Sequence, residues 1–205
     1  MLTLFTSPGA CSRASHIALE ESGIAFEVRL IDFSKVEQRT PEFLAVNPKG
    51  RVPALAVDGG VLTETPAILA YVAALTAPGA LAPTEPFAFA RMQAFNAYLA
   101  STVHVAHAHR RRAARWADDE AAQAAMSAKV PANMRDGFAL IESGLDGPWV
   151  MGDAYSVADP YLFTIAGWLG HDDVDIAEFP RVADHFARMS ARPAVQRALK
   201  AEQAG

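Results

Sequence analysis

The 205-residue sequence predicts a mixed α/β unit over residues 1–76 and an all-α helical-bundle unit over 87–205, joined by a linker at 77–86. Three observations carry this. Strand-period and helix-period apolar patterns alternate through the first 76 residues, and three prolines and a glycine fall between Ala77 and Pro86. After Phe87 the strand patterns vanish, and long alanine-rich stretches of helical period replace them.

Leu2, Leu4 and Thr6 alternate as one face of a strand. Ala14, Ile17, Ala18 and Glu21 then follow helical spacing until Gly23 stops the helix. Phe26, Val28 and Leu30 give a second strand, so the chain opens with a βαβ unit whose strands are parallel. Ala54–Val57 and Val61–Thr63 flank Asp58-Gly59-Gly60, a hairpin signal. Thr65-Pro66 opens a helix that runs through Leu75. The order βαβ then ββα resembles the thioredoxin fold, although the polar stretch Asp32–Asn47 between them carries no clear pattern. Past the linker, helices are expected at about 87–116, 119–144 and 157–168, with two short ones after Pro180 and Pro193.

Composition narrows the function classes. With 18 basic and 23 acidic residues the chain carries a net charge of −5, which argues against nucleic acid as a partner. No apolar run approaches the roughly 18–20 residues that cross a bilayer, and Met1–Thr6 lacks the basic start and long apolar stretch of a signal peptide. A cytoplasmic protein with no membrane partner is expected. The single cysteine, Cys11, excludes an internal disulfide.

Pro8-Gly9-Ala10-Cys11-Ser12 places that cysteine at a helix start, where the first N–H groups stabilise a thiolate and lower its pKa. Inert apolar packing is the competing role. Ser12 is either a donor to such a thiolate or an N-cap, and His16, one turn on, reads as structural. In Asn47-Pro48-Lys49-Gly50-Arg51-Val52-Pro53-Ala54-Leu55, the Val52-Pro53 bond is read as cis before a strand, with an ordinary trans proline at a strand start as the competing role. In Glu64-Thr65-Pro66, Thr65 reads as an N-cap and Pro66 as the first helical residue; the helix start suits an anion and Glu64 a cation. His104 and His107 stand at i, i+3 with no carboxylate near them in sequence, so no metal site is expected. His109 and the run Arg110, Arg111, Arg112 and Arg115 read as a solvated helix end or subunit contact. Ser156 and Asp159 have capping-box spacing, a structural device that starts a buried helix.

These segments, with Gly152–Asp159 and Arg192-Pro193-Ala194-Val195, resemble the glutathione transferases from Leu4 to Leu199, and most of all the bacterial beta class. The resemblance implies a thioredoxin-like glutathione-binding unit followed by the helical unit. It implies that Cys11 sits beside the glutathione sulfur, where Ser12 and His104 are further catalytic candidates. Val52 and Pro53 would meet the cysteinyl backbone, Glu64 and Thr65 the γ-glutamyl group, and Lys35 the glycine carboxylate. Phe5, His107 and Trp168 are candidates for the second-substrate pocket. An asparagine expected on the first long helix stands one position early, as Asn96, with Ala97 in its place. The implied activity is conjugation of glutathione, as co-substrate and with no cofactor, to a small apolar electrophile by a homodimer. The alternatives are glutathione-dependent disulfide exchange or peroxidase chemistry through Cys11, and a non-catalytic binding or scaffold protein.

Overall fold

The computed structural model describes residues 1–203. Its sheet has the order β2-β1-β3-β4, built from β1 (Leu2–Thr6), β2 (Phe26–Leu30), β3 (Ala54–Val57) and β4 (Gly60–Thr63). β1 pairs parallel to β2, Leu4 opposite Val28, and antiparallel to β3, Leu4 opposite Leu55. This is the mixed four-stranded sheet of a thioredoxin-like unit. Gly60 already pairs with Val57, so the hairpin turn is Asp58-Gly59 and β4 starts one residue earlier than the pattern suggests.

Helix α1 (Ser12–Ser22) buries Ala14, Ile17, Ala18 and Leu19 and ends at Gly23, whose φ of 67° is the left-handed cap that glycine adopts without steric cost. The unpatterned stretch contains a short helix, α2 (Pro41–Val46), capped by the Thr40 hydroxyl, which accepts from the Phe43 N–H. Helix α3 (Thr65–Ala74) follows the hairpin.

Beyond it come α4 (Pro86–Tyr98), α5 (His104–Arg112), α6 (Glu120–Gly144), α7 (Ala158–Ala166), α8 (Pro180–Ser190) and α9 (Pro193–Gln203). The stretch expected as one helix over 87–116 is divided. A π-helical segment, Leu99–Val103, separates α4 from α5, and a 3₁₀ turn at Ala113–Arg115 ends it. A π turn takes one more residue than an α turn.

One apolar core joins both halves, with Leu4, Ile68 and Leu69 packing in the same cluster as Met92, Phe138 and Leu162. Helix α1 contacts α3, α7 and α9, so the residue that opens it is positioned from both sides. Among the described residues, no helix is long and apolar enough to cross a membrane.

Candidate active site

The junction of the two halves holds a cleft of about 580 Å³. Cys11, Val52, Pro53, Glu64 and Thr65 line it from the sheet side, and His104, His107 and Trp168 from the helical side.

Cys11 is the N-cap of α1. The turn before it is fixed by the helical half: the Gly9 N–H donates to Glu202 Oε2 at 3.1 Å, and the Gly9 carbonyl accepts from Trp168 Nε1 at 2.9 Å. Arg13 grips the same Glu202 through Nη2 at 2.6 Å. The Cys11 thiol donates to the Val52 carbonyl at 3.5 Å across a cis Val52-Pro53 bond. Burial pushes this thiol above its ordinary pKa, outweighing the Thr65 hydroxyl and the Arg112 guanidinium that pull it down. The expectation of a depressed Cys11 pKa is thereby corrected: the helix start is present, but desolvation of the sulfur is the larger effect.

Three other expectations are also corrected. Ser12 is fully buried, its Oγ accepting from Thr6 Oγ1 at 2.8 Å and the Ser7 N–H at 3.2 Å; it neither caps α1 nor lines the cleft. Lys35 points to solvent and pairs with Asp32 at 3.2 Å, away from the cleft. Phe5 packs on Phe43 of α2, ring centroids 5.9 Å apart, in a satellite cluster with Ile31 and Val52. His16 is buried against the Phe26 ring, as a structural histidine is.

At the head of α3 the N-cap is Glu64 rather than Thr65, and Thr65 is the first helical residue. Glu64 has φ 72° and ψ 122°, a conformation that costs a non-glycine residue about 1–3 kcal/mol. Strain of this kind is held where surrounding structure over-determines it, here at the cleft rim. The Glu64 carboxylate accepts from Lys49 Nζ at 2.5 Å. Thr65 is 4% exposed and turns inward beside Cys11 and Tyr161.

Across the cleft, burial holds the His104 pKa down at about 4, helped by His107, Arg112, Arg115 and Arg51. The imidazole is neutral near pH 7, and it serves as a hydrogen-bond donor better than as a proton acceptor. His107 Nδ1 lies 2.7 Å from Oδ2 of the fully buried Asp172, and its ring stacks on Trp168 with centroids 4.3 Å apart. Among the described residues no group of three His, Cys, Asp or Glu side chains is arranged to hold a metal ion.

The His104 shift predicts a pH dependence of stability. An unfolded chain protonates this ring as pH falls through 6.5, whereas the folded chain resists until about 4. The contribution, about 3 kcal/mol, is present above pH 6.5 and lost on acidification to 4. Urea unfolding across that window should show a shallower fall in stability for His104→Gln than for the parent.

Sequence reasoning missed Tyr161, Asp172, Arg39 and Arg51 as lining residues; Arg111, Arg112 and Arg115 are solvent-exposed, as expected of a helix end, and also line the cleft. Arg110 lines the cleft as well, paired with Asp173. The reciprocal cap expected of Ser156 and Asp159 is corrected in part: the N-cap of α7 is Val157, and it is the Asp159 carboxylate that reaches back to the Ser156 N–H. Fully buried, it accepts from the Val150 N–H at 2.8 Å, the Ser156 N–H at 2.7 Å and His185 Nε2 at 3.0 Å, while Ser156 Oγ accepts from the Ala158 N–H.

A cysteine at a helix start and an X-Pro turn on a thioredoxin-like sheet, closed over by a helical half, define a two-part thiol-handling enzyme. The chain belongs to the glutathione S-transferase family. Residues 1–74 match the model of the glutathione S-transferase N-terminal domain and residues 95–193 that of the C-terminal domain. Glutathione S-transferase GstA of Escherichia coli O157:H7 is 34% identical over 205 residues, covering 98% of both chains. The structure of a glutathione transferase homolog from Sulfitobacter with bound glutathione is 45% identical with a TM-score of 0.94, over 98% of each chain. A bacterial beta class glutathione S-transferase from Sphingomonas chungbukensis is 36% identical, TM-score 0.83, again over 98% of each.

Proposed function

We propose that this chain binds glutathione in the cleft, ionises its thiol and delivers the thiolate to a small electrophile held against the helical half. The observation that carries the reading is convergence: Cys11, Val52, Thr65 and His104, from four separate segments, face one space. The Val52 backbone suits the cysteinyl unit. The start of α3 suits the γ-glutamyl carboxylate, and Glu64 its ammonium once Lys49 gives way. Arg39, on the cleft wall where Lys35 is not, suits the glycine carboxylate.

A glutathione sulfur seated in front of Cys11 keeps the fields of Thr65 and Arg112 but avoids the full desolvation that raises the Cys11 thiol. Cys11 and neutral His104 then act as donors to the thiolate, and the glutathione proton leaves to solvent. His107 and Trp168 supply flat walls for the second substrate. The homologue with bound glutathione supports the binding step. Exposed Phe87 and Phe89 on α4 support a homodimer that covers them.

A second reading, disulfide exchange through Cys11, rests on the thiol lying at the cleft, and its raised pKa weighs against it. Calorimetric titration with reduced glutathione, followed by conjugation of a chlorodinitrobenzene, separates the two. Binding with turnover retained in Cys11→Ala is expected. Binding with reduction of a mixed disulfide as the sole activity, lost in Cys11→Ala, would overturn the transferase reading.

A further inference from the structure

The cleft is strongly basic in a chain whose net charge is −5. Arg39 and Arg51 come from the sheet side, and Arg111, Arg112 and Arg115 from the end of α5 and the turn after it. Several other arginines pair with carboxylates: Arg13 with Glu202, Arg135 with Glu178, Arg192 with Glu21, Arg197 with Glu20 and, on the cleft wall itself, Arg110 with Asp173. Among the described residues, the other five cleft arginines, Arg39, Arg51, Arg111, Arg112 and Arg115, have no such partner. The two carboxylates that reach the cleft are engaged, Glu64 by Lys49 and Asp172 by His107.

The cluster is close enough to repel itself. The Arg115 guanidinium is pulled below its ordinary pKa by burial first and then by Arg112, Arg51 and Arg39. Arg112 reaches across the opening to lie 5.9 Å from the Phe33 ring centroid. Gly50, with φ 61°, leaves the space Arg39 occupies, since a Cβ there would approach its Nη1 to 2.9 Å. All five are solvent-exposed, so water screens much of their repulsion, and their shared positive field still draws an anion to the cleft mouth. Glutathione has two carboxylates. On the reading above one goes to the start of α3 and the other to Arg39, which leaves the helical-side arginines unmatched.

We propose, resting on the transferase reading, that the second substrate is an anionic electrophile: a flat activated aryl or conjugated compound bearing a carboxylate or sulfonate that Arg112 and Arg115 bind. Its flat body lies against His107, Trp168 and Trp116, and its charge meets the guanidinium groups, whose planar forks match an oxyanion pair. With an aryl chloride, the glutathione thiolate forms a carbon–sulfur bond at the ring carbon. The carbon–chlorine bond breaks with its electron pair on chloride, and no redox partner is needed.

The test compares a chloronitrobenzoate with its methyl ester, each kcat/KM divided by the uncatalysed rate constant with glutathione at the same pH. The normalised preference for the acid should be roughly tenfold or more, should shrink with added salt, and should fall towards one in Arg112→Gln/Arg115→Gln. Arg112→Lys/Arg115→Lys should keep part of it, and circular dichroism confirms that both variants fold. An ester turned over as well as the acid overturns the proposal alone. A loss in the glutamine variant that appears wholly as a raised KM for glutathione assigns the arginines to glutathione and overturns it too. No conjugation of either compound, with glutathione bound, overturns the transferase reading and this proposal with it.

Discussion

Asp159→Ala is expected to lower the free energy of unfolding by about 3–5 kcal/mol. The carboxylate has no exposure and satisfies the Val150 and Ser156 N–H groups and His185 Nε2 together. Removing it strands these donors in a dry interior, where each unpaired group costs about 1–3 kcal/mol. Every residue of α7 is buried, so water does not readily replace the lost partner. The helix carries Tyr161 to the cleft floor and leads to Trp168, whose Nε1 holds the Gly9 carbonyl. Loss of the cap should therefore loosen the Cys11 turn as well. Urea unfolding followed by circular dichroism checks the size, with Asp159→Asn expected between the parent and Ala. A change below about 1 kcal/mol for Ala would show that the network is dispensable.

Local signals in the sequence located what depends on local geometry. Ser156 and Asp159 state their role by spacing, and Val52-Pro53 and Glu64-Thr65 mark a turn and a helix start where backbone groups face outward. The βαβ opening follows from two apolar periods, and the parallel pairing from the crossover between them. The errors arise where a neighbour decides. Phe5 lies on the strand face opposite Leu4, and it is covered by Phe43 from a helix of only six residues, too short to show a period. Thr40-Pro41 did carry a capping signal for that helix.

Ser12 is drawn inward by Thr6 and Ser7, and Lys35 outward by Asp32, contacts that no spacing rule ranks against the alternatives. The depth of Cys11, which sets the sign of its pKa shift, depends on how the two halves close. The arginine cluster is invisible for the same reason. Arg39, Arg51 and Arg112 lie on three segments, and only packing brings their charges to one space.

The second large effect falls on Thr65. Its hydroxyl lowers the pKa of the Cys11 sulfur in the cleft, and it opens a helix whose first N–H groups suit an anion. Thr65→Val keeps the size and removes the hydroxyl. It should reduce kcat/KM for glutathione by about tenfold to a hundredfold below neutral pH, where little of the free thiol is ionised. Thr65→Ser should retain most of it.

The most direct measurement is the ultraviolet absorbance of the glutathione thiolate, titrated against pH in saturated Cys11→Ser protein. Cys11 is the only cysteine, so the variant leaves the bound glutathione as the sole thiol. The bound glutathione thiol should titrate at least about one unit below the roughly 8.5 of a free thiol, moving back up in Cys11→Ser/Thr65→Val. Glutathione that binds with its ordinary pKa, unchanged by Thr65→Val, would contradict that expectation.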